Sequence, residues 1–161
     1  MDVDGVLTDG SISYDSRGEE LKTFDIKDGL GLKLLQKAGL KTAIITGRSS
    51  EMVARRAREL SVDWVVQGRE DKLQALQSLA REQGFELDEI AYIGDDLPDL
   101  AAVQSVGLGI SVADGHETLR QSAHLVTRSA GGRGAVREAC EWLLGQQGKL
   151  NAMLSAYEAP K

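Results

Sequence analysis

Short apolar runs alternate with longer stretches of helical periodicity along most of the chain. The apolar runs are KTAIIT (41–46), DWVV (63–66), EIAYI (89–93), GLGISV (107–112) and HLVT (124–127). The helical patterns lie at about 28–38, 50–60, 71–83 and 98–105, and in HETLRQSA and GAVREACEWLLGQQ. Uninterrupted apolar runs are typical of strands buried on both faces, and their alternation with helices indicates a parallel sheet. The sequence therefore predicts an α/β fold with three layers, in which helices cover both faces of a doubly wound, Rossmann-like sheet.

One segment, SISYDSRGEELKTF (11–24), interrupts this alternation. It has the pattern of two short strands around the turn Asp15-Ser16-Arg17-Gly18, which predicts a β-hairpin. Because it lies between the first strand and the first full helix, we expect it to form a flap near the carboxyl end of that strand.

The two ends of the chain carry weaker patterns. A first strand that ends at Asp2 needs several apolar residues before it, and only Met1 is present, so we expect the natural chain to begin upstream. The segment GKLNAMLSAYEAPK (148–161) is weakly patterned, and we expect a C-terminal tail that a partner orders. Residues 1–161 are expected to form a single domain.

Composition and charge narrow the classes of function. The 161 residues are 42% hydrophobic, which is enough for one globular core. The net charge of −6 argues against a nucleic-acid partner and against docking on an anionic membrane. The single cysteine, Cys140, excludes an internal disulfide, fits a reducing cytoplasm and is expected to be a packing residue. The only histidines, His116 and His124, are expected to be capping or surface residues, which argues against a histidine metal site or a Ser/His/Asp triad.

Polar residues follow the predicted strands at the edge where parallel sheets bind their ligands. Asp2 and Asp4 follow the first strand, TGR (46–48) follows the next, Asp95 follows EIAYI, and Lys72 opens a helix. Each signal alone has another interpretation. DVDG fits a turn or part of a calcium loop, TGR an ordinary loop, GDDLPD a capped helix start, and Lys72 a solvated lysine.

Together these residues fit one chemistry. Carboxylates of Asp2, Asp4 and Asp95 at one edge would repel each other without a cation, and hard oxygen ligands favour Mg²⁺. Asp2 could attack phosphorus to give an aspartyl-phosphate, while Asp4 gives and takes the proton. Lys72 and the hydroxyl of Thr46 could absorb the negative charge of a transferring phosphoryl group.

The ordered set DVDGVLTDG (2–10), IITGR (44–48), Lys72 and GDDLPD (94–99) resembles the haloacid dehalogenase-like phosphatase superfamily. The resemblance covers nearly the whole chain and implies Asp2 as nucleophile and Asp4 as general acid and base. It further implies that Thr46 and Lys72 bind the phosphoryl group, and that Asp2, the Asp4 carbonyl and Asp95 hold Mg²⁺. The connections from Asp2 to Thr46 and from Lys72 to Asp95 are too short for an inserted cap domain.

Three longer segments, at 18–35, 44–50 and 130–150, resemble more narrowly the family of 3-deoxy-D-manno-octulosonate 8-phosphate phosphatases. The resemblance implies a capless homotetramer in which the flap and tail help to seal a neighbour's site. It also implies cytosolic hydrolysis of the 8-phosphate, a step toward lipopolysaccharide. The substrate contacts that it implies are Asp4, Asp25, Ile26, Lys27, Asp28, Gly29, Lys33, Arg48, Arg56 and Lys72.

Two alternatives stay open at this point. One is a related capless phosphatase that acts on a nine-carbon, sialic-acid-type 9-phosphate. The other is a non-catalytic module of the same fold that serves as an assembly partner.

Overall fold

The computed structural model describes residues 1–159, in which short strands alternate with helices. The strands are β1 (Ser13–Tyr14), β2 (Glu20–Leu21), β3 (Ala43–Ile45), β4 (Trp64–Val66), β5 (Ala91–Gly94), β6 (Leu108–Ser111) and β7 (Leu125–Val126). The helices are α1 (Ile26–Lys37), α2 (Glu51–Leu60), α3 (Lys72–Gln83), α4 (Leu100–Ser105), α5 (Glu117–Ser122), α6 (Ala135–Gln146) and α7 (Leu150–Ser155). Two 3₁₀ turns lie at Leu87–Glu89 and Leu97–Asp99.

The central sheet is parallel, and the first two residues of the chain join its two parts. Strand β3 pairs with β4, and β6 pairs with both β5 and β7, all in parallel. Between these parts, the Ile45 N–H donates to the Met1 carbonyl at 2.9 Å. On the other side, the Asp2 N–H donates to the Ile93 carbonyl at 3.1 Å. The segment Met1–Asp2 therefore lies between β3 and β5 and makes one sheet in the order β4, β3, Met1–Asp2, β5, β6, β7.

Two apolar cores lie on opposite faces of this sheet. Neighbouring strand residues contribute to different cores, because successive side chains of a strand point to opposite faces. Ile44 and Ile93 belong to a core built with α1, α2 and α6. Ile45 and Tyr92 belong to a second core built with α3, α4 and α5. The prediction of a three-layer α/β fold is confirmed.

The hairpin is present, and the described residues show no cap domain. β1 and β2 pair antiparallel, with Tyr14 opposite Glu20. The Asp15 carboxylate closes the turn by accepting the N–H groups of Arg17 and Glu19. Within residues 1–159, the chain between Asp2 and Thr46 holds only this hairpin, α1 and β3.

The C-terminal tail contains a short helix. Residues 150–155 form α7, and Leu150 and Met153 pack against the core beside α6. That a partner orders this segment stays a prediction. Residues 160 and 161 of the predicted tail lie outside the described residues.

The cysteine and the histidines have packing and capping roles, as predicted. Cys140 is buried on α6, and burial raises the pKa of its thiol to about 12. The Nδ1 atom of His116 accepts the Thr118 N–H at the start of α5, and that of His124 accepts the Gly109 N–H. Among residues 1–159, no helix combines the length and apolarity needed to cross a membrane.

Candidate active site

The carboxyl edge of the sheet brings Asp2 and Lys72 together. Asp2 ends the central segment of the sheet, and Lys72 is the first residue of α3. The Lys72 Nζ lies 2.9 Å from Asp2 Oδ2, and both side chains are buried. The pair occupies the position at which doubly wound sheets bind ligands.

A third buried residue, Asp99, supports this pair. Its Oδ1 accepts hydrogen bonds from Lys72 Nζ at 2.7 Å and from the Tyr92 hydroxyl at 2.8 Å. Its Oδ2 accepts the N–H of Asp95 at 3.2 Å. Asp99 therefore fixes Lys72 and shapes the turn that carries Asp95. No sequence pattern indicated a role for Asp99 or Tyr92, although Asp99 is the last residue of the GDDLPD motif.

The carboxylates of Asp2, Asp95 and Asp99 form a compact acidic cluster. One oxygen of each lies within 4.8 Å of the others. Burial, and then repulsion from Asp99 and Asp2, raises the pKa of Asp95 to about 8. Burial and repulsion from Asp99 also raise the pKa of Asp2 against the opposing effect of Lys72. Lys72 alone does not balance the negative charge of the cluster.

These residues fit a divalent magnesium ion. The donors are hard carboxylate oxygens, which Mg²⁺ prefers over nitrogen or sulfur. Both oxygens of Asp99 are engaged by Lys72, Tyr92 and backbone N–H groups. Asp2 and Asp95 therefore remain as the carboxylates of this cluster that can hold the ion, and the ligand set of Asp2, Asp4 and Asp95 stays a prediction.

Asp4 faces the hairpin and not the acidic cluster. Its Oδ1 forms an ion pair with Lys22, which follows β2. Its Oδ2 is buried and has no hydrogen-bond partner among the described residues. Asp2 and Asp4, two positions apart, thus have different neighbours. Because its neighbours determine the chemical behaviour of a carboxyl group, two acids so close in sequence can have different roles in one reaction.

Glycine at position 5 lets this loop approach Asp95. Gly5 has a φ of +87°, and a Cβ there would lie 2.0 Å from Asp95 Oδ2. At Gly47, by contrast, a Cβ would meet Glu70 Cγ at an ordinary 3.4 Å. Thr46, which follows β3, is buried, and its hydroxyl oxygen accepts the Arg48 N–H at 3.4 Å.

Arg48 and Arg56, two of the predicted substrate contacts, lie against the hairpin and against helix α1, respectively. The Arg48 guanidinium lies 2.6 Å from Glu20 of the hairpin. Arg56 on α2 lies over the Phe24 ring at 5.9 Å and against Gly29, where a Cβ would meet its Nη2 at 2.6 Å. Phe24, Gly29 and Arg56 therefore form one surface between α1 and α2.

Other predicted contacts have their side chains engaged elsewhere or exposed. The Asp25 carboxylate caps α1 by accepting the Lys27 N–H at 2.8 Å, and Ile26 and Lys27 are exposed. The Lys33 ammonium donates to the Glu59 carbonyl. Asp28 is buried and accepts the Arg137 N–H at 2.7 Å at the start of α6. Asp28 Oδ1 is thus a helix-capping group in this structure, whereas Oδ2 is buried and has no hydrogen-bond partner among the described residues.

The fold and the site define a haloacid dehalogenase-like hydrolase. A family model of that description matches residues 64–139. In Escherichia coli strain K12, the 3-deoxy-D-manno-octulosonate 8-phosphate phosphatase KdsC is 45% identical over 151 residues, 94% of this chain and 80% of that protein. The chain belongs to this family of 3-deoxy-D-manno-octulosonate 8-phosphate phosphatases.

Solved structures agree with this assignment. The Moraxella catarrhalis 3-deoxy-D-manno-octulosonate 8-phosphate phosphatase, in complex with magnesium, phosphate and KDO, is 51% identical with a TM-score of 0.96. The match covers 98% of this chain and 91% of that one. The cobalt-bound Haemophilus influenzae phosphatase is 39% identical with a TM-score of 0.89, over 92% of this chain and 87% of that one.

Proposed function

We propose that the protein hydrolyses 3-deoxy-D-manno-octulosonate 8-phosphate to 3-deoxy-D-manno-octulosonate and phosphate, with Mg²⁺ as cofactor. The observation that carries the proposal is the Moraxella structure, which matches nearly the whole chain at 51% identity and holds magnesium, phosphate and KDO. The buried Asp2–Lys72 pair and the adjacent acidic cluster supply the groups that such a reaction needs. The product, 3-deoxy-D-manno-octulosonate (KDO), is a lipopolysaccharide sugar, so the proposed step belongs to lipopolysaccharide biosynthesis.

In the proposed mechanism, Asp2 and Asp4 divide the covalent and proton-transfer work. A carboxylate oxygen of Asp2 attacks phosphorus, and the bond from phosphorus to the sugar oxygen breaks. The proton of Asp4 passes to the leaving sugar oxygen. Water then attacks the aspartyl-phosphate, its proton passes to Asp4, and the bond between Asp2 and phosphorus breaks.

Positive charge and hydrogen-bond donors stabilise the phosphoryl group during transfer. Lys72 already lies 2.9 Å from Asp2, so its ammonium can contact phosphoryl oxygens next to the nucleophile. Thr46, at the neighbouring strand end, can donate its hydroxyl. Asp2, the Asp4 carbonyl and Asp95 would hold Mg²⁺, which supplies charge neutralisation and orientation.

Specificity for a sugar acid would come from cations at the rim of the site. We propose Arg48 and Arg56 as the main side-chain contacts, because a guanidinium binds a carboxylate or phosphate through two parallel hydrogen bonds. Gly29 allows Arg56 to lie against α1. Asp25, Ile26, Lys27 and Lys33 remain predicted contacts. Asp28 also remains a predicted contact, although its side chain is buried and its Oδ1 caps α6.

A capless site would be completed by neighbouring subunits, and we propose a homotetramer of single-domain chains. Support comes from apolar side chains exposed on the flap: Ile12 is 53%, Tyr14 is 63% and Leu21 is 56% exposed. Such side chains on a narrow hairpin favour burial against another chain. The lone, buried Cys140 is compatible with the reducing cytoplasm that we propose as the location.

A substrate panel tests the proposed reaction. Phosphate release should require Mg²⁺ and should be fastest with 3-deoxy-D-manno-octulosonate 8-phosphate, slower with a nonulosonate 9-phosphate and slowest with an aryl phosphate. An equal or reversed preference between the two sugar acids would refute the substrate assignment. Absence of turnover with all three would favour the non-catalytic assembly module.

A further inference from the structure

The flap carries a carboxylate, Glu20 of β2, that reaches the rim of the site. Glu20 Oε1 lies 2.6 Å from Nη2 of Arg48, which stands in the loop after β3. The Glu20 side chain is 17% exposed, so the contact is partly shielded from water. Hydrogen bonds between two ionised groups are shorter and stronger than neutral ones. The mechanism proposed above gives Glu20 no task.

Glu20 fixes the part of Arg48 that the backbone leaves free. The Arg48 N–H donates to Thr46 Oγ1 at 3.4 Å, and its carbonyl accepts the Gly68 N–H at 3.4 Å. Within the described part of the chain, Glu20 is the one hydrogen-bond or ion-pair partner of the Arg48 guanidinium. An arginine side chain has many rotamers, so without this contact the guanidinium would sample several positions at the rim.

The contact leaves most of the guanidinium available to a ligand. Arginine has five N–H groups in a planar fork, and only Nη2 contacts Glu20. The Arg48 side chain is 40% exposed. A substrate carboxylate can therefore bind another edge of the same group through two parallel hydrogen bonds.

A second cation offsets the negative charge of Glu20. Lys22 Nζ lies 3.5 Å from the same Oε1, and only 2% of the Lys22 side chain is exposed. Glu20 thus lies between two positive groups. Because these cations balance its charge, Glu20 does not repel an anionic substrate that approaches Arg48.

We propose that Glu20 is a positioning residue, which holds Arg48 in the orientation that binds the carboxylate of the sugar acid. This inference rests on the proposed phosphatase function. Since the guanidinium is in place before the substrate arrives, binding does not have to order it, and the affinity is higher. The flap thereby takes part in recognition of the acid group through Arg48.

Substrates with and without a carboxylate separate this role from simple anchoring of the flap. The pair is 3-deoxy-D-manno-octulosonate 8-phosphate and an analogue that has a hydroxymethyl group in place of the carboxylate. Loss of the Arg48 orientation should weaken binding of the sugar acid alone. A flap that is merely loosened should change the kinetics of both substrates to the same degree.

The experiment measures kcat and KM of Glu20→Ala for both substrates. KM for the sugar acid should rise by up to about tenfold, the effect of having to order one long side chain, with kcat little changed. Both constants for the hydroxymethyl analogue should stay close to those of the wild type. In an Arg48→Met background, Glu20→Ala should cause no further rise in KM, because the residue that it positions is absent.

Glu19→Ala is the matched control, because Glu19 precedes Glu20 on the flap and is exposed. It should behave like the wild type on both substrates. Thermal unfolding checks that each variant is folded. If Glu20→Ala does not fold, Glu20→Gln decides, since it keeps an oxygen acceptor and its smaller rise in KM must be confined to the sugar acid.

Equal changes on both substrates, an unchanged or lower KM for the sugar acid, or an undiminished effect in the Arg48→Met background would overturn the proposal. A wild type that prefers a nonulosonate 9-phosphate would refute the substrate assignment and leave this test intact, because that sugar acid also carries a carboxylate. If the wild type shows no turnover, calorimetric titration with free 3-deoxy-D-manno-octulosonate makes the same comparison. Weaker binding to Glu20→Ala than to Glu19→Ala would then support the role of Glu20, and equal binding would overturn it.

Discussion

Asp2 is the residue on which the proposed covalent chemistry depends. Asp2→Asn should abolish turnover while substrate still binds, because an amide oxygen does not attack phosphorus whereas Lys72 and the rim arginines remain. Steady-state kinetics and calorimetric titration with the sugar phosphate measure the two effects. The exposed Asp88→Asn is the control and should leave both unchanged. A residual rate within about tenfold of the wild type, or about 1.4 kcal/mol of barrier, would contradict the nucleophile role.

The buried carboxyl group of Asp28 makes the stability of the fold depend on pH. Burial raises the pKa of its carboxyl, even though the Arg137 N–H opposes this shift. The folded pKa then lies above the unfolded one of about 3.9, so Asp28 favours the fold most when it is protonated. Its stabilising effect is lost as pH rises through the folded pKa. The unfolding temperature of Asp28→Asn, relative to the wild type, should therefore increase across that pH window and then level off.

Asp63 provides a control with the opposite sign. Burial tends to raise its pKa, but Lys41 and Thr42 outweigh burial and lower it. Asp63 therefore stabilises the fold above its unfolded pKa and loses this effect as pH falls through the folded value. The unfolding temperature of Asp63→Asn should decrease relative to the wild type as pH rises. A parallel trend in both variants would contradict the assignment of Asp28.

The sequence predicts which residues lie at the carboxyl edge of the sheet wherever the order of strands and helices alone determines their position. Parallel strands end at one edge, so Asp2, Thr46 and Asp95 could be placed there from the order of the apolar runs. The partners of Asp99 and Lys22 could not, because they depend on the geometry of a 3₁₀ turn and on how the hairpin docks. Asp28 shows the same limit. Its place in the motif indicated a ligand contact, whereas its burial depends on the packing of α6.

At the scale of elements, a substitution at Gly29 of α1 can distinguish an effect on helix packing from an effect on substrate binding by Arg56. Gly29→Ala would bring a Cβ to 2.6 Å from Arg56 Nη2 and 2.9 Å from Leu60 Cδ2. The Arg56 guanidinium is the end of a flexible side chain and is displaced, whereas Leu60 belongs to the buried core, so its displacement offsets the gain of about 1 kcal/mol in helix propensity. We expect the unfolding temperature to change little and KM for the sugar phosphate to rise.

Gly145 is the matched control for that substitution. It lies in α6, and a Cβ there would meet nothing within 4 Å. Gly145→Ala should raise the stability by about 1 kcal/mol, with KM unchanged. If both substitutions leave KM unaltered, Arg56 does not bind the substrate.

Element boundaries were predicted well, except where local polar groups act. Helix α2 begins at Glu51 after Ser50, close to the predicted start. The predicted strand at 89–93 instead begins at Ala91, because Glu86 and Glu89 cap each other across the 3₁₀ turn before it. The next predicted helix starts only at Leu100, since Pro98 lies in a 3₁₀ turn capped by Asp96. Sequence periodicity does not reveal such reciprocal capping in advance.

For the whole molecule, the solution mass tests the proposed assembly. Light scattering should give four times the 17.3 kDa of one chain. Tyr14→Asp should reduce this mass, because it places a charge on the exposed apolar face of the flap. The remote substitution Glu82→Gln should leave it unchanged. A monomeric wild type with full activity would show that no neighbour is needed to complete the site.

The position of the segment Met1–Asp2 between β3 and β5 has a consequence for how the molecule loses activity. The two parts of the sheet meet through backbone bonds on either side of this segment, and the second residue of the segment is the proposed nucleophile. Any fluctuation that parts the sheet also removes the reacting oxygen from Lys72. Hydrogen exchange at the amides of Asp2 and Ile45 should therefore rise at the same temperature at which catalysis fails, with no earlier, local melting of the reaction centre.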